Sequence, residues 1–390
     1  MDENETLVIT NARLVTPAGA VDNASVVINQ GHIVNISTDS ADIPRHARTL
    51  NAEGNLVLPG FIDLHVHGGH GYDVMDGTVE AVHELARHLA THGVTGFLAT
   101  TVTASLDDTL AIASIVRQAS AVPGPGAAIL GMHIEGPYIN PQRRGAQNPC
   151  CIRPPSIAEM ERVIEASGNA VRLVTLAPEM PGAHDFIAYL RRRGIIASMG
   201  HSDATYEQAL AALDVGVSHA THVFNAMRPF AHRDPGIIAA VLTDARPIAE
   251  LIADGLHVHP GAARLLIKAR GPAGVVLVSD AVRGAGLPYG CYRMGGQDIW
   301  TSENGARTAD GHLAGSLLTL EVALRNVMTW TGLPLHQALA MVSLNQAREL
   351  GLDSRKGSVE VGKDGDLVIC SPTLQVLTTV VGGRVVSPDP

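Results

Sequence analysis

Eight short apolar runs, most ending in polar residues and separated by longer stretches, constrain this chain more than any other feature. They cover 56–64, 96–102 (GFLATTV), 127–133 (AAILGMH), 172–177 (RLVTLA), 195–200, 217–222, 248–253 (IAELIA, after Pro247) and 274–280 (GVVLVSD). Between them lie stretches such as TVEAVHELARHLATHG at 78–93 and SIAEMERVIEASG at 156–168, with apolar residues at helical spacing. Short continuous apolar runs read as strands buried on both faces. Eight of them alternating with helices predict an α/β fold, a parallel (β/α)8 TIM barrel.

The two ends follow a different rule. Residues 6–50 and 357–386 carry short alternating runs (TLVITNARLV, SVVINQGHIVNI, GSVEVGKDGDLVIC, LQVLTTVVGGRVV) punctuated by Gly, Asp and Asn, with no helical pattern. They predict two halves of one small β-sandwich domain, 1–55 and 352–390, completed when the termini meet around a 56–351 barrel. With 46 % hydrophobic and 17 % charged residues in 390, the chain has ample material for such a core. A net charge of −10 argues against nucleic acid or an anionic membrane as partner. The start, MDENETLVIT, lacks the basic and apolar regions of a signal peptide, and no apolar run reaches membrane-spanning length. The four cysteines (Cys150, Cys151, Cys291, Cys370) show no disulfide framework, so reduced thiols in a cytoplasm are expected.

In a barrel of this kind the chemistry sits at the C-terminal strand ends. The first run ends in HVH, with His65 and His67 on one face of the strand because residues two apart point the same way. The third ends at His133 and Glu135, the fifth at His201, the sixth at His222 and the eighth at Asp280; after the seventh come Asp254, His257 and His259. Any one of these also reads as an ordinary polar residue at a strand end. Ligand-type side chains at five tips (strands 1, 3, 5, 6 and 8) converge instead on a metal site, and imidazole with carboxylate is the ligand set of zinc and its borderline neighbours. Many two-metal barrel hydrolases bridge their ions with a carboxylated lysine. The only lysines here are Lys268, Lys356 and Lys363, none at a predicted tip, so a bridging ligand must be a carboxylate, and Glu135 is available.

The motifs PGFIDLHVHG, HIEGPY, GHS, THVFNAM, HRDPG, ADGLHVH, SDA and HLAGS fall in an order and spacing that resembles the N-acetylglucosamine-6-phosphate deacetylases of the amidohydrolase superfamily, over essentially the whole chain. HIEGPY and THVFNAM are far more specific than the HxH pair. The resemblance implies a distorted (β/α)8 barrel with a small β-sandwich, usually a homodimer, that removes the acetyl group from N-acetyl-D-glucosamine 6-phosphate. It implies Glu135, His201 and His222 as ligands of the main metal, His65 and His67 as the pair of a second metal, and Asp280 as the catalytic aspartate at the metal. One or two divalent ions follow, zinc first, with Fe2+, Co2+ or Mn2+ as alternatives. Substrate contacts carry over to Ala146, Asn225, Ala226, Arg233, His257, Leu313, Ala314 and Gly315, with Arg233 reaching the neighbouring subunit's active site.

The chain departs from the family at QRRGAQNPCC, where Gln147 stands in place of a histidine near the substrate carbonyl. Gln147 can donate a hydrogen bond but cannot carry a proton. Cys150 and Cys151 read as structural. A covalent route lacks its signature, since no GxSxG elbow is present. The rivals left open are the N-acetylgalactosamine 6-phosphate epimer, an unphosphorylated N-acyl substrate, and a non-catalytic protein that keeps the fold.

Overall fold

The computed structural model describes residues 6–386 apart from 18, 40–46, 123 and 125. Residues 1–5 of the acidic start and 387–390 of the C-terminal segment therefore lie outside the described residues. Eight parallel strands form one sheet: β1 (Phe61–Val66), β2 (Val94–Thr101), β3 (Ala128–Glu135), β4 (Val171–Leu176), β5 (Ile196–Met199), β6 (His219–Ala220), β7 (Ile248–Leu251) and β8 (Val275–Leu277). The chain past β8 closes the ring on β1 through the Asp280 N–H to His65 carbonyl bond (2.8 Å) and the Val66–Ala281 bridge. β6 has two residues and β8 three, which makes this a distorted (β/α)8 barrel.

One main helix follows each strand: α1 (Val79–Thr91), α2 (Leu106–Ser120), α3 (Ile157–Ala166), α4 (Ala183–Arg192), α5 (Tyr206–Val215), α6 (Gly236–Thr243), α7 (Pro260–Arg270) and α8 (Leu320–Thr331). Local chemistry sets several starts. Thr78, Ser105, Ser156 and Thr205 each accept the backbone N–H three residues on, supplying a partner that the first helical turn lacks. In α1, Ala81, Val82, Leu85, Ala86, Leu89 and Ala90 turn one buried stripe onto the sheet. β2, buried along its whole length, explains why these strands read as unbroken apolar runs.

The first apolar run is two strands. Leu56–Pro59 belongs to a second sheet, and the chain passes into the barrel at Gly60. A run apolar on both faces carries no periodicity to mark that change of sheet. At Gly60 a Cβ would stand 2.1 Å from the Thr95 hydroxyl, so only glycine fits as packed.

The second sheet has eight strands drawn from both ends of the chain. Leu367–Cys370 pairs antiparallel with Leu56–Pro59, which lies beside Leu7–Thr16, while Val376–Val381 and Arg384–Val386 extend one side and Gly19–Asn29 and His32–Ser37 the other. The sheet curls until its sides meet, with Ile33 donating to the Lys363 carbonyl (2.8 Å) and Gly365 to that of Gly31 (2.6 Å). Leu7, Ile9, Leu14, Val26, Ile28, Ile33, Val57, Leu367, Ile369 and Val380 fill the space inside. Between β8 and α8 a three-stranded antiparallel excursion (Cys291–Met294, Gln297–Ser302, Gly305–Thr308) folds over the barrel mouth, packing Met294, Ile299 and Ala306 with Val102, Ala146, Val282 and Ala314.

Candidate metal centre and active site

All six candidate ligands meet at the C-terminal mouth of the barrel. Glu135 ends β3, and His65 lies in β1 with His67 just past its end. His201, His222 and Asp280 sit two or three residues beyond β5, β6 and β8. The Nε2 atoms of His201 and His222 stand 3.2 and 3.1 Å from Glu135 Oε1 and 3.1 Å from each other. A second group places His65 Nε2 3.2 Å from His67 Nε2, and Asp280 Oδ1 3.2 Å from His67 and 3.5 Å from His65. Glu135 links the two groups: its Oε1 lies 3.4 Å from His65 and its Oε2 3.4 Å from His67.

Do these residues fit a metal? The ring nitrogens answer. His65 Nδ1 faces Glu250 Oε2 (3.0 Å), His67 Nδ1 the Thr100 carbonyl (3.3 Å) and His201 Nδ1 the Arg143 carbonyl (2.9 Å). These acceptors assign the proton to Nδ1 and leave a lone pair on Nε2. The lone pairs of His65 and His67, aimed at one another across 3.2 Å, repel unless a cation or a proton lies between them. A tetrahedral ion with bonds of about 2.0–2.1 Å to nitrogen spaces its ligands by about 3.3 Å. Glu135–His201–His222 and His65–His67–Asp280 each have the donor set and spacing for a divalent metal.

Protons take the cation's part in the electrostatics. Burial would lower His65 and His67, but Glu135 and Asp280 outweigh it, raising His65 well above its usual range and His67 to about 9. Burial likewise opposes the shift of Glu135, yet the surrounding imidazoles hold its carboxyl well below the ordinary range; His65 and His67 hold Asp280 low. Carboxylates that draw protons onto these imidazoles would equally draw a metal ion in their place, with the imidazoles then neutral donors.

The backbone here is strained. Twelve non-glycine residues have clearly positive φ among the described residues, and His201, His222, Phe224, Ala226 and Asp280 are five of them. Such conformations persist where surrounding bonds over-determine them. Asn140 donates to the His201 carbonyl, Ser316 to that of Asp280, and Ser202 to that of Ala226, at 2.7–3.0 Å.

Above the ligands opens a cavity of about 380 Å³, a size that takes a small polar molecule. His67, Glu135, His201, His222 and Asp280 form its floor, while Ala146, Gln147, Asn225, Ala226, His257, Leu313 and Gly315 line its walls. Ala314 is buried behind the lining. Arg233 does not line the cavity; it stands exposed in a loop held by the Arg228–Asp234 ion pair (2.7 Å). The lining guanidinium, Arg143, is engaged with Asp203 at 2.7 Å. His259 caps α7, and His133 is buried beneath the ligands.

Gln147 is committed at both ends. Its amide donates to Glu135 Oε2 (2.6 Å) and its carbonyl accepts from Thr103 N–H (2.6 Å), so it holds the linking carboxylate and keeps one amide N–H beyond that bond. His257 is held in turn: Asp254 Oδ2 lies 2.6 Å from its Nδ1, and Asp254 Oδ1 accepts the backbone N–H groups of Leu256 and His257. Glu250, beneath the site, was not among the residues singled out from the sequence. The available sign was a carboxylate inside the apolar run PIAELI, where an unpaired charge would be costly.

Known proteins place this geometry. Residues 56–386 match the amidohydrolase family. Over 384 residues the chain is 38% identical to an N-acetylglucosamine-6-phosphate deacetylase of Bacillus subtilis (strain 168), covering 98% of this chain and 97% of that one. Over 385 residues it is 40% identical to an N-acetylgalactosamine-6-phosphate deacetylase of Escherichia coli O157:H7, covering 98% and 100%. A mutant N-acetyl-D-glucosamine-6-phosphate deacetylase from Mycobacterium smegmatis, solved in complex with N-acetyl-D-glucosamine-6-phosphate, superposes with a TM-score of 0.90 at 34% identity, covering 98% of this chain and 100% of that one. The chain belongs to the amidohydrolase family, on the branch of the N-acetyl amino-sugar 6-phosphate deacetylases.

Proposed function

We propose that this protein hydrolyses the acetamide of N-acetyl-D-glucosamine 6-phosphate to acetate and D-glucosamine 6-phosphate in amino-sugar catabolism, using one or two divalent ions, zinc first among them. One observation carries the reading: six imidazole and carboxylate ligands converge at one barrel mouth, five of them on the floor of a single cavity with His65 buried beside them. The names of full-length relatives support the substrate.

A divalent ion held by Glu135, His201, His222, His65, His67 and Asp280 would supply Lewis acidity and lower the pKa of bound water to roughly 7. Asp280, facing the cavity, takes the proton of the attacking water and returns it to the amide nitrogen as the C–N bond breaks. His257, clamped by Asp254, turns its remaining ring nitrogen to the sugar or its acetyl group. Ala146, Asn225, Ala226 and the loop Leu313–Ala314–Gly315 enclose the sugar, with Gln147 keeping Glu135 in place. The phosphate lacks an uncommitted guanidinium among the lining residues, and Arg233 points the reading to a homodimer, in which Arg233 of the partner subunit binds it bidentately. Four free cysteines and the acidic net charge suit a cytoplasmic enzyme.

Acetate release from N-acetylglucosamine 6-phosphate by zinc-loaded protein tests this directly, beside chelated protein and the unphosphorylated sugar. Turnover that needs the metal and favours the phosphorylated sugar is expected, and Arg233→Ala should raise KM for phosphorylated substrates only. Chelated protein working at full speed would overturn the reading. The Escherichia coli relative at 40% identity favours a second reading, the galacto epimer, which the same assay on N-acetylgalactosamine 6-phosphate separates.

A further inference from the structure

A chain of four ionisable side chains runs beneath the metal ligands through the barrel core. Glu349, the last residue of a short helix (Leu344–Glu349), meets His219 Nδ1 in β6 at 2.9 Å. His219 Nε2 meets Glu250 Oε1 in β7 at 3.1 Å. Glu250 Oε2 then accepts from His65 Nδ1 (3.0 Å) and from the backbone N–H of His222 (3.0 Å). His219 and Glu250 are fully buried, whereas the Glu349 side chain is 18% exposed.

Both ring nitrogens of His219 face carboxylates, so both carry protons and the ring is a cation. It balances Glu250, whose buried charge would otherwise be costly. Glu250, kept anionic, can only accept, which fixes the proton of His65 on Nδ1 and frees Nε2. That one carboxylate touches a ligand from each half of the centre: the ring of His65 and the main chain of His222. His133 also packs edge-on against the His65 ring, 4.5 Å between centroids, which leaves the ring little freedom to turn.

We propose that Glu250, backed by His219 and Glu349, is a positioning residue that sets the proton and orientation of His65 and so decides whether the His65–His67–Asp280 half-site keeps its ion. The inference rests on the metal-dependent reading above. Carboxylates behind metal-bound histidines are worth about 10–100-fold in metal affinity. Because Glu250 reaches the other half-site only through a backbone N–H, the effect falls on the His65 half.

Full-length protein stripped with a chelator and titrated with Zn2+ by calorimetry, with metal content read by mass spectrometry, tests this. The wild type is expected to bind two ions. Glu250→Gln is expected to keep the ion on Glu135, His201 and His222 and to lose about 10–100-fold in affinity at the other. That half-site selectivity is not what a general loosening of the core would give. Should Glu250→Gln not fold, Glu349→Gln at the exposed end is expected to weaken the same half-site by several-fold. Two ions held with unchanged affinity in whichever variant folds would overturn the inference and leave the proposed activity intact, as would a wild type that holds only the Glu135–His201–His222 ion. A wild type that binds no ion would remove the metal-dependent reading itself.

Discussion

Glu135 and Asp280 are both buried carboxylates at the same strand ends, yet their removal has different consequences. Glu135 touches His65, His67, His201 and His222, so Glu135→Gln is expected to abolish metal binding and turnover together. Asp280 touches only His65 and His67. Asp280→Asn should keep the ion on Glu135, His201 and His222 while kcat falls about 10²–10⁴-fold, the usual weight of a positioned acid–base group. Metal content and kcat measured on the same preparations check both, and full activity in Asp280→Asn would remove it from the mechanism. Asp254→Ala unclamps His257; kcat/KM should fall about 10–100-fold, the worth of a hydrogen bond to a charged group, with metal content unchanged. At this scale much of the site was legible, since ligand-type residues recur at predicted strand ends. The commitment of Gln147 to Glu135 and Thr103 was not, because an amide shows no partner in one dimension.

Among elements, the alternation of apolar runs with amphipathic stretches announced the eight strands of the barrel and the helices between them, but not the three-stranded excursion at 291–308. Their ends were less visible. The run 217–222 leaves only His219–Ala220 as strand, and its last residue, His222, turns into a left-handed conformation that holds it at the cavity floor. Gly60 is where one apolar run divides between two sheets. Gly60→Ala should destabilise the fold by about 1–3 kcal/mol, the common cost of overpacking. Denaturant unfolding measures it, and combining the change with Thr95→Gly, which removes the clashing side chain, should recover part of the loss. If the two changes simply add, contact with Thr95 is not the reason for glycine at this position.

Across the whole molecule, His219 ties stability to pH. Burial opposes its ionisation, but Glu250 and Glu349 outweigh it and raise the imidazole to about 9 from 6.5. A raised folded-state pKa contributes stability that is complete below about 6.5 and lost as pH rises through about 9. The thermal midpoint of the wild type should therefore approach that of His219→Gln between those pH values; a constant gap would show that His219 is not charged in the fold. The sequence by itself determined the alternation of buried strand and amphipathic helix, the pairing of the two termini, and the kinds of side chain at the strand ends, because apolar periodicity and residue chemistry are local properties. Only the tertiary structure decided which strand ends share an ion, that Glu250 and His219 lie under His65, and that Arg143 is already engaged with Asp203. Those are distances between residues dozens to hundreds of positions apart, and they exist only once the ring of strands has closed.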